Sequence, residues 1–467
     1  MKKNESCTFI ILGATGDLSK RKLIPAIYRL LVDKKIKDFA IIGAAITETT
    51  TQEILSNSKR FVKHCDDVVW RKLEENFYYH SLNFDDEEGF EELKSLIEEV
   101  EEKNKLSGNR IFYLATMPEH FYGISKYLSQ CCIVKNENKK TSPWTRVVYE
   151  KPFGHDLQSA QKINKCITKV FDEDQIYRID HYLGEELVGN IALVRFANIF
   201  LQPLWNREYI DSVQIILSEK IGVEGRGKFY DRSGALKDVV QNHMLQLLAL
   251  VSMEQPKALS GEYIRDAKSE VLSKIKVKEA ILGQYDGYRD EKDVDENSQT
   301  ETFAFLQVAI DNDRWKGVPF YLKTGKNLEK KESSIHIKFK QPECLLGNCS
   351  LMKNNWLTIS VQPREGFFLE VNAKVPGITY ETTPVKMEFC HGCLFGPNTP
   401  QAYEVLLYDV LRGDHSVFVR FDEIEHSWRI VEQVIKKKKS VYSYDKNSKG
   451  PKELDEYSKK HNIEWRL

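Results

Sequence analysis

The apolar run Thr8 to Leu12 ends directly on Gly13-Ala-Thr-Gly16-Asp17-Leu18, and the residues beyond open an amphipathic helix that extends through Leu31. A strand that passes through a glycine turn straight into a helix begins a crossover, the building unit of a parallel sheet. Glycines at such a turn also let the backbone approach a pyrophosphate, whose charge is met by N–H groups at the helix N-terminus. The spacing is a shortened G-x-x-G. Its strand–turn–helix setting favours dinucleotide binding over an ordinary glycine turn.

The alternation continues. Phe39 to Gly43 reads as the next strand, and an acidic helix follows with Phe90, Leu93, Leu96, Ile97 and Val100 on one face. Ile111 to Ala115, Val147 to Tyr149 and Ile176 to Arg178 are further strands, so residues 1–180 form an α/β domain with a doubly wound parallel sheet. From residue 181 to 467 the pattern changes. One long helix, Leu236 to Met253, precedes strand-like stretches at Thr302 to Ile310, Ile335 to Phe339, Leu357 to Gln362 and Phe367 to Val371. Strands crowded together with few helices between them imply an α+β domain with an antiparallel sheet. Lys135 to Ser142 and Asp286 to Thr300 read as surface loops.

Composition narrows the function. With 68 basic and 69 acidic side chains, the chain has no bulk charge to hold nucleic acid or an anionic membrane. The most basic block, Lys436 to Lys439, reads as a solvated segment near a helix end. The longest largely apolar stretch, Met244 to Met253, is too short to span a bilayer, and MKKNESC leading into CTFIILGA reads as a first strand rather than a signal peptide. Nine cysteines, an odd number in 467 residues, suggest free thiols in a reducing cytoplasm. Cys344, Cys349, Cys390, His391 and Cys393 have the donor types of a zinc site, with free thiols as the alternative; no metal is assigned.

Three further motifs carry chemistry. Glu150-Lys151-Pro152-Phe153-Gly154 follows a strand, where parallel sheets bind ligands, and reads either as a ligand-binding lysine or as a surface turn. Arg178-Ile-Asp180-His181-Tyr182-Leu-Gly184-Glu185-Glu186 places six ionisable side chains in nine residues, again at a strand end. A solvated charged loop is its alternative. His243 falls on the apolar face of its helix, so it is either a satisfied core histidine or a general base oriented by a carboxylate. At 100° per residue Asp238 lies about 140° from it, off that face.

Taken in order, GATGDLSKRKLIPA, EKPFGHDL, RIDHYLGEE, EGRGKFYDRSGALKDVVQNHMLQ, RWKGVPFYLKTGKNL and AYEVLLYDVLRGD closely resemble the glucose-6-phosphate 1-dehydrogenase family, from about residue 8 to the C-terminus. RIDHYLG and KDVVQNH are specific to that family. The resemblance implies a Rossmann-like coenzyme domain and a substrate and oligomerisation domain with a large, mainly antiparallel sheet. It also implies oxidation of glucose 6-phosphate to the lactone with NADP, in a homodimer or homotetramer. The family's base matches His243, and its orienting carboxylate matches Asp180. Its sugar contacts match Glu219, Asp238, Lys326 and Gln362, and its phosphate contacts match His181 and Tyr182. Lys151 matches the lysine between coenzyme and substrate, while Gly13, Ala14, Thr15, Gly16, Asp17 and Leu18 match the coenzyme turn.

Three positions depart from the family pattern. Glu185 stands where a lysine usually binds the substrate phosphate. Ile46 stands where an arginine usually binds the NADP 2′-phosphate, which opens the site to NAD, and Lys237 replaces an arginine beside Asp238. A relative acting on an unphosphorylated or amino sugar, or a non-catalytic member of the fold, are the competing expectations.

Overall fold

The structure is a computed structural model that describes residues 6–131, 133–134, 143–341, 352–378, 381–396, 400–437 and 440–466. The expected loop at 135–142 and the end of the basic block at 438–439 lie outside them, as do Cys344 and Cys349. The chain forms two compact units. The first runs to Gly184 and also takes in residues 260–262 and 400–421, so the division is not a single cut at 180.

The first unit is built on six parallel strands, β1 (Cys7–Leu12), β2 (Phe39–Ala45), β3 (Phe77–Ser81), β4 (Arg110–Leu114), β5 (Thr145–Tyr149) and β6 (Ile176–Arg178), in the order β3-β2-β1-β4-β5-β6. Helices cover both faces, and the strand sequences show why. In β1, Phe9 and Ile11 enter one apolar layer while Ile10 and Leu12 enter the other, and Ile111 and Tyr113 alternate with Phe112 and Leu114 in the same way along β4. The acidic Glu87–Lys103 helix buries Phe90, Leu93, Ile97 and Val100, as its spacing requires. The strand order reverses between β1 and β4, which opens a crevice at their carboxyl ends.

The second unit is organised around nine strands: β7 (Ile210–Ser218), β8 (Ile275–Tyr285), β9 (Phe303–Ile310), β10 (Phe320–Gly325), β11 (Glu332–Phe339), β12 (Trp356–Gln362), β13 (Gly366–Lys374), β14 (Thr382–Cys390) and β15 (Val441–Tyr444). Their order is β14-β13-β12-β11-β7-β10-β9-β8-β15. Pairing is antiparallel except for β7 with β10 and β8 with β15. The mainly antiparallel sheet is as expected. The long helix is not uniform: it is π-helical over Leu236–Met244 and α-helical over Leu245–Ser252. No helix among the described residues is long and apolar enough to cross a membrane.

Candidate active site

In the first unit the expected residues collect at the carboxyl ends of the parallel strands. Gly13 to Leu18 leave β1, Lys151 follows β5, and Asp180, His181 and Tyr182 follow β6. The glycine turn is pinned to its neighbours: the N–H groups of Gly13 and Ala14 donate to the Ala44 carbonyl at 2.7 and 3.2 Å. Gly13 has φ +96°, and a Cβ there would stand 2.5 Å from the Ala115 carbonyl oxygen. Only glycine fits, so the turn presents bare backbone at the head of the Ser19–Leu23 π-turn and the Ile24–Val32 helix. That surface suits a dinucleotide pyrophosphate. Ile46, just beyond β2, is exposed, while Arg21 pairs with Asp17 of the turn at 3.0 Å.

Asp180 is buried, and its Oδ1 accepts the Tyr182 N–H at 3.1 Å, which closes a tight turn after β6. Beside it lies a group to which the sequence reading gave no role of its own, although it opens the Glu150–Gly154 motif. The Glu150 carboxylate accepts from the Tyr113 hydroxyl at 2.5 Å and the Tyr403 hydroxyl at 3.3 Å. Loss of solvent pushes the Glu150 carboxyl above the ordinary range, against the two tyrosine hydrogen bonds and the nearby Lys151 charge. Asp180 pushes it in the same direction as burial. A signal for Glu150 existed in its adjacency to Lys151. None existed for Tyr403, which reaches this unit from far along the chain.

In the second unit β7 and β10 run parallel side by side, with Gly325 opposite Ser218. Glu219 and Lys326 therefore emerge from neighbouring strand ends. The backbone fixes them, with Glu219 N–H donating to Gly325 at 2.9 Å, Lys326 N–H to Thr302 at 2.9 Å, and the Tyr444 hydroxyl to the Lys326 carbonyl at 2.7 Å. The Lys326 ammonium donates to Glu219 Oε2 at 2.5 Å and lies 5.0 Å from the centre of the Tyr230 ring. Tyr230 is a second residue that the sequence reading passed over. Burial holds its hydroxyl well above the usual tyrosine range, and Asp238 and Glu219 both add to that effect. Lys326 thus joins the Glu219 carboxylate to the face of the Tyr230 ring. Gln362 ends β12 opposite Ser333, which in turn faces Leu217, so it lies two strand spacings, about 10 Å, from the end of β7.

The π-helical segment corrects the angle expected between Asp238 and His243. In a π-helix the backbone closes from residue i to i+5, so side chains five apart stand about one turn above each other on one face. The 140° separation belongs to an α-helix, which these residues do not form. His243 is buried, and Asp238 is half-buried. The segment starts at a kink where Gly234 has φ +65°; a Cβ there would meet the Glu301 carboxylate at 2.4 Å. Glu301 also accepts the Leu236 N–H at 3.3 Å, which anchors the first residue of the segment.

The proposed zinc donors do not form a thiolate pair. Cys390 and Cys393 are joined in a disulfide, so this pair forms neither the zinc-binding thiolates nor the free thiols that the sequence led one to expect.

Comparison with known proteins agrees with this arrangement. Residues 10–190 match the family model of the glucose-6-phosphate dehydrogenase NAD binding domain, and residues 192–466 match that of its C-terminal domain. The glucose-6-phosphate 1-dehydrogenase of Bacillus subtilis is 41% identical over all of this chain and 99% of its own. That of Chlamydia muridarum is 40% identical over 98% and 96%. A solved structure of a glucose-6-phosphate dehydrogenase in complex with its substrate glucose-6-phosphate matches at TM-score 0.91 and 35% identity, over 99% of both chains. With both of its units matched from end to end, the chain belongs to the glucose-6-phosphate dehydrogenase family, an oxidoreductase family with a nicotinamide-coenzyme domain.

Proposed function

We propose that the chain oxidises C1 of glucose 6-phosphate to 6-phosphogluconolactone with NADP as the hydride acceptor. The observation that carries this reading is the Glu219–Lys326 pair held against Tyr230 at adjacent strand ends, in a chain that aligns end to end with a relative solved with glucose-6-phosphate. A carboxylate and an ammonium at fixed strand ends are suited to sugar hydroxyls, which both donate and accept, and Asp238 on the π-helical segment adds a second carboxylate to the proposed sugar contacts. Gln362 extends that set.

His243 acts as general base and removes the O1 proton, a task matched to neutral imidazole near neutral pH. Asp180 fixes the tautomer of the ring and stabilises the imidazolium. His181 and Tyr182 hold the phosphate. Lys151 stands between sugar and coenzyme, and the turn Gly13 to Leu18 holds the pyrophosphate. A nicotinamide coenzyme held by the first unit would supply the chemistry of hydride acceptance from C1. The first unit serves as coenzyme domain and the second as substrate and oligomerisation domain, in a cytoplasmic homodimer or homotetramer. Because Ile46 offers no cation, NADP is preferred over NAD less strongly than is usual in the family, and Arg21 supplies part of the missing charge.

The test is coenzyme reduction against a panel of glucose 6-phosphate, glucose and glucosamine 6-phosphate, with each coenzyme. Glucose 6-phosphate should show the highest kcat/KM. Faster oxidation of either other sugar overturns the substrate assignment, and no turnover with any of them overturns the enzymatic one.

A further inference from the structure

We propose that Cys390-His391-Gly392-Cys393 is a thiol–disulfide exchange site whose redox state governs the turn that carries Gln362. The inference rests on the substrate reading above for its effect on sugar binding, but not for its chemistry. The cysteines close a disulfide at the end of β14, the edge strand of the large sheet. Cys393 is exposed and Cys390 half-buried, so a reductant meets the Cys393 sulfur first. Cys390 Sγ accepts the Cys393 N–H at 3.3 Å, a hydrogen bond that would stabilise a thiolate left on Cys390.

The exchange balances with a dithiol of the kind that reduces protein disulfides. Its thiolate attacks Cys393 Sγ, the S–S bond breaks, and the electron pair leaves on Cys390. The second thiol of the reductant then attacks its own sulfur in the mixed disulfide and releases Cys393. The protein gains two electrons and two protons, while the dithiol becomes a disulfide. An oxidised dithiol reverses the sequence.

What lies inside the closed loop gives the exchange a consequence. His391, between the two cysteines, is buried; its N–H donates to the Glu365 carbonyl at 3.1 Å, and its Nδ1 stands 3.7 Å from the Glu365 carboxylate. Cys390 itself faces Gly366 across the β13–β14 ladder. Glu365 and Gly366 belong to the turn Gln362-Pro363-Arg364-Glu365-Gly366 that joins β12 to β13. The disulfide therefore holds His391 against the backbone of the turn from which Gln362 projects. Opening it frees that clasp.

The full chain should be incubated with or without a reduced small dithiol, blocked with iodoacetamide and mapped by mass spectrometry. Hydrogen exchange and steady-state kinetics are followed on the same samples. Expected are labelling of Cys390 and Cys393 only after reduction, faster exchange at residues 362–366 and 391, and a rise of threefold or more in KM for glucose 6-phosphate with kcat within twofold. The Cys390→Ser/Cys393→Ser variant should show the raised KM with or without dithiol. Full labelling before reduction overturns the disulfide. Reduction without faster exchange at 362–366 overturns the coupling, and faster exchange with an unchanged KM overturns the effect on sugar binding. Because labelling and hydrogen exchange need no turnover, a chain inactive on glucose 6-phosphate would count against the substrate assignment and leave the exchange site to be judged on those two measurements.

Discussion

Lys326 and Glu219, at the ends of the adjacent parallel strands β7 and β10, meet at 2.5 Å with unequal burial: the ammonium side chain is 3% exposed and the carboxylate side chain 41%. The asymmetry sets what each loss costs. Glu219→Ala leaves a charge buried without its carboxylate, which is costly, whereas Lys326→Met leaves a carboxylate that water can reach. Glu219→Ala should therefore lower Tm more than Lys326→Met does. Both should raise KM for glucose 6-phosphate, and Lys326→Met should do so with little loss of thermal stability. Thermal unfolding and kinetics on the same two preparations check this, and equal or reversed Tm losses contradict it.

His243→Asn should reduce turnover by about 10²–10⁴-fold, the usual scale for removing a general base. Coenzyme affinity, measured by the fluorescence of reduced NADP, should stay near that of the parent protein, because the glycine turn belongs to the other unit. Near-parental turnover in the variant would return His243 to the role of a core histidine.

The first sheet was legible because each of its strands hands over locally to a helix, so period and glycine spacing are written in consecutive residues. Only β3 was missed, since Phe-Tyr-Tyr-His-Ser lacks a clear apolar alternation. The second sheet was read in part, with β7, β8 and β10 missed along with β14 and β15. β14 is an exposed edge strand with Pro384 in its run, and β15 has four residues, so neither of these two carries a buried stripe to find. The π-helical segment has no sequence rule of its own, and the α-helical angle consequently separated Asp238 from His243. Tyr230 and the Glu150–Tyr403 contact depend on tertiary neighbours, which no spacing encodes.

Asp409 gives stability a pH dependence. Burial first, and then the neighbouring Asp414 charge, push its carboxyl up to about 7, with Arg412 pulling it down. Between about pH 4 and that value the folded chain holds a proton that the unfolded chain has released, so this group's contribution to stability falls as pH rises and levels off above it. Asp409→Asn should raise Tm at pH 8 by about 2–4 °C. The gain should shrink towards zero near pH 4, and a gain that does not depend on pH would refute this account.

Glu185 presents a negative charge three residues beyond Tyr182, at the position where the family resemblance leads one to expect a phosphate-binding lysine. Like charges about 4 Å apart at an effective dielectric near 20 repel by about 4 kcal/mol before screening, and a phosphate dianion doubles the count. The same residue stands at the N-terminal boundary of the Glu186–Phe196 helix, without a side-chain capping hydrogen bond, where the helix dipole favours a carboxylate by about 0.3–1 kcal/mol and does not favour a lysine. Glu185→Lys should therefore lower KM for glucose 6-phosphate about tenfold or more, leave kcat similar and cost a little thermal stability, the pattern of a uniform binding contact. Loss of activity instead would make Glu185 a ligand for a different sugar, with glucose and glucosamine 6-phosphate the first to try. An unchanged KM would show that Glu185 points away from the phosphate, which other residues then hold.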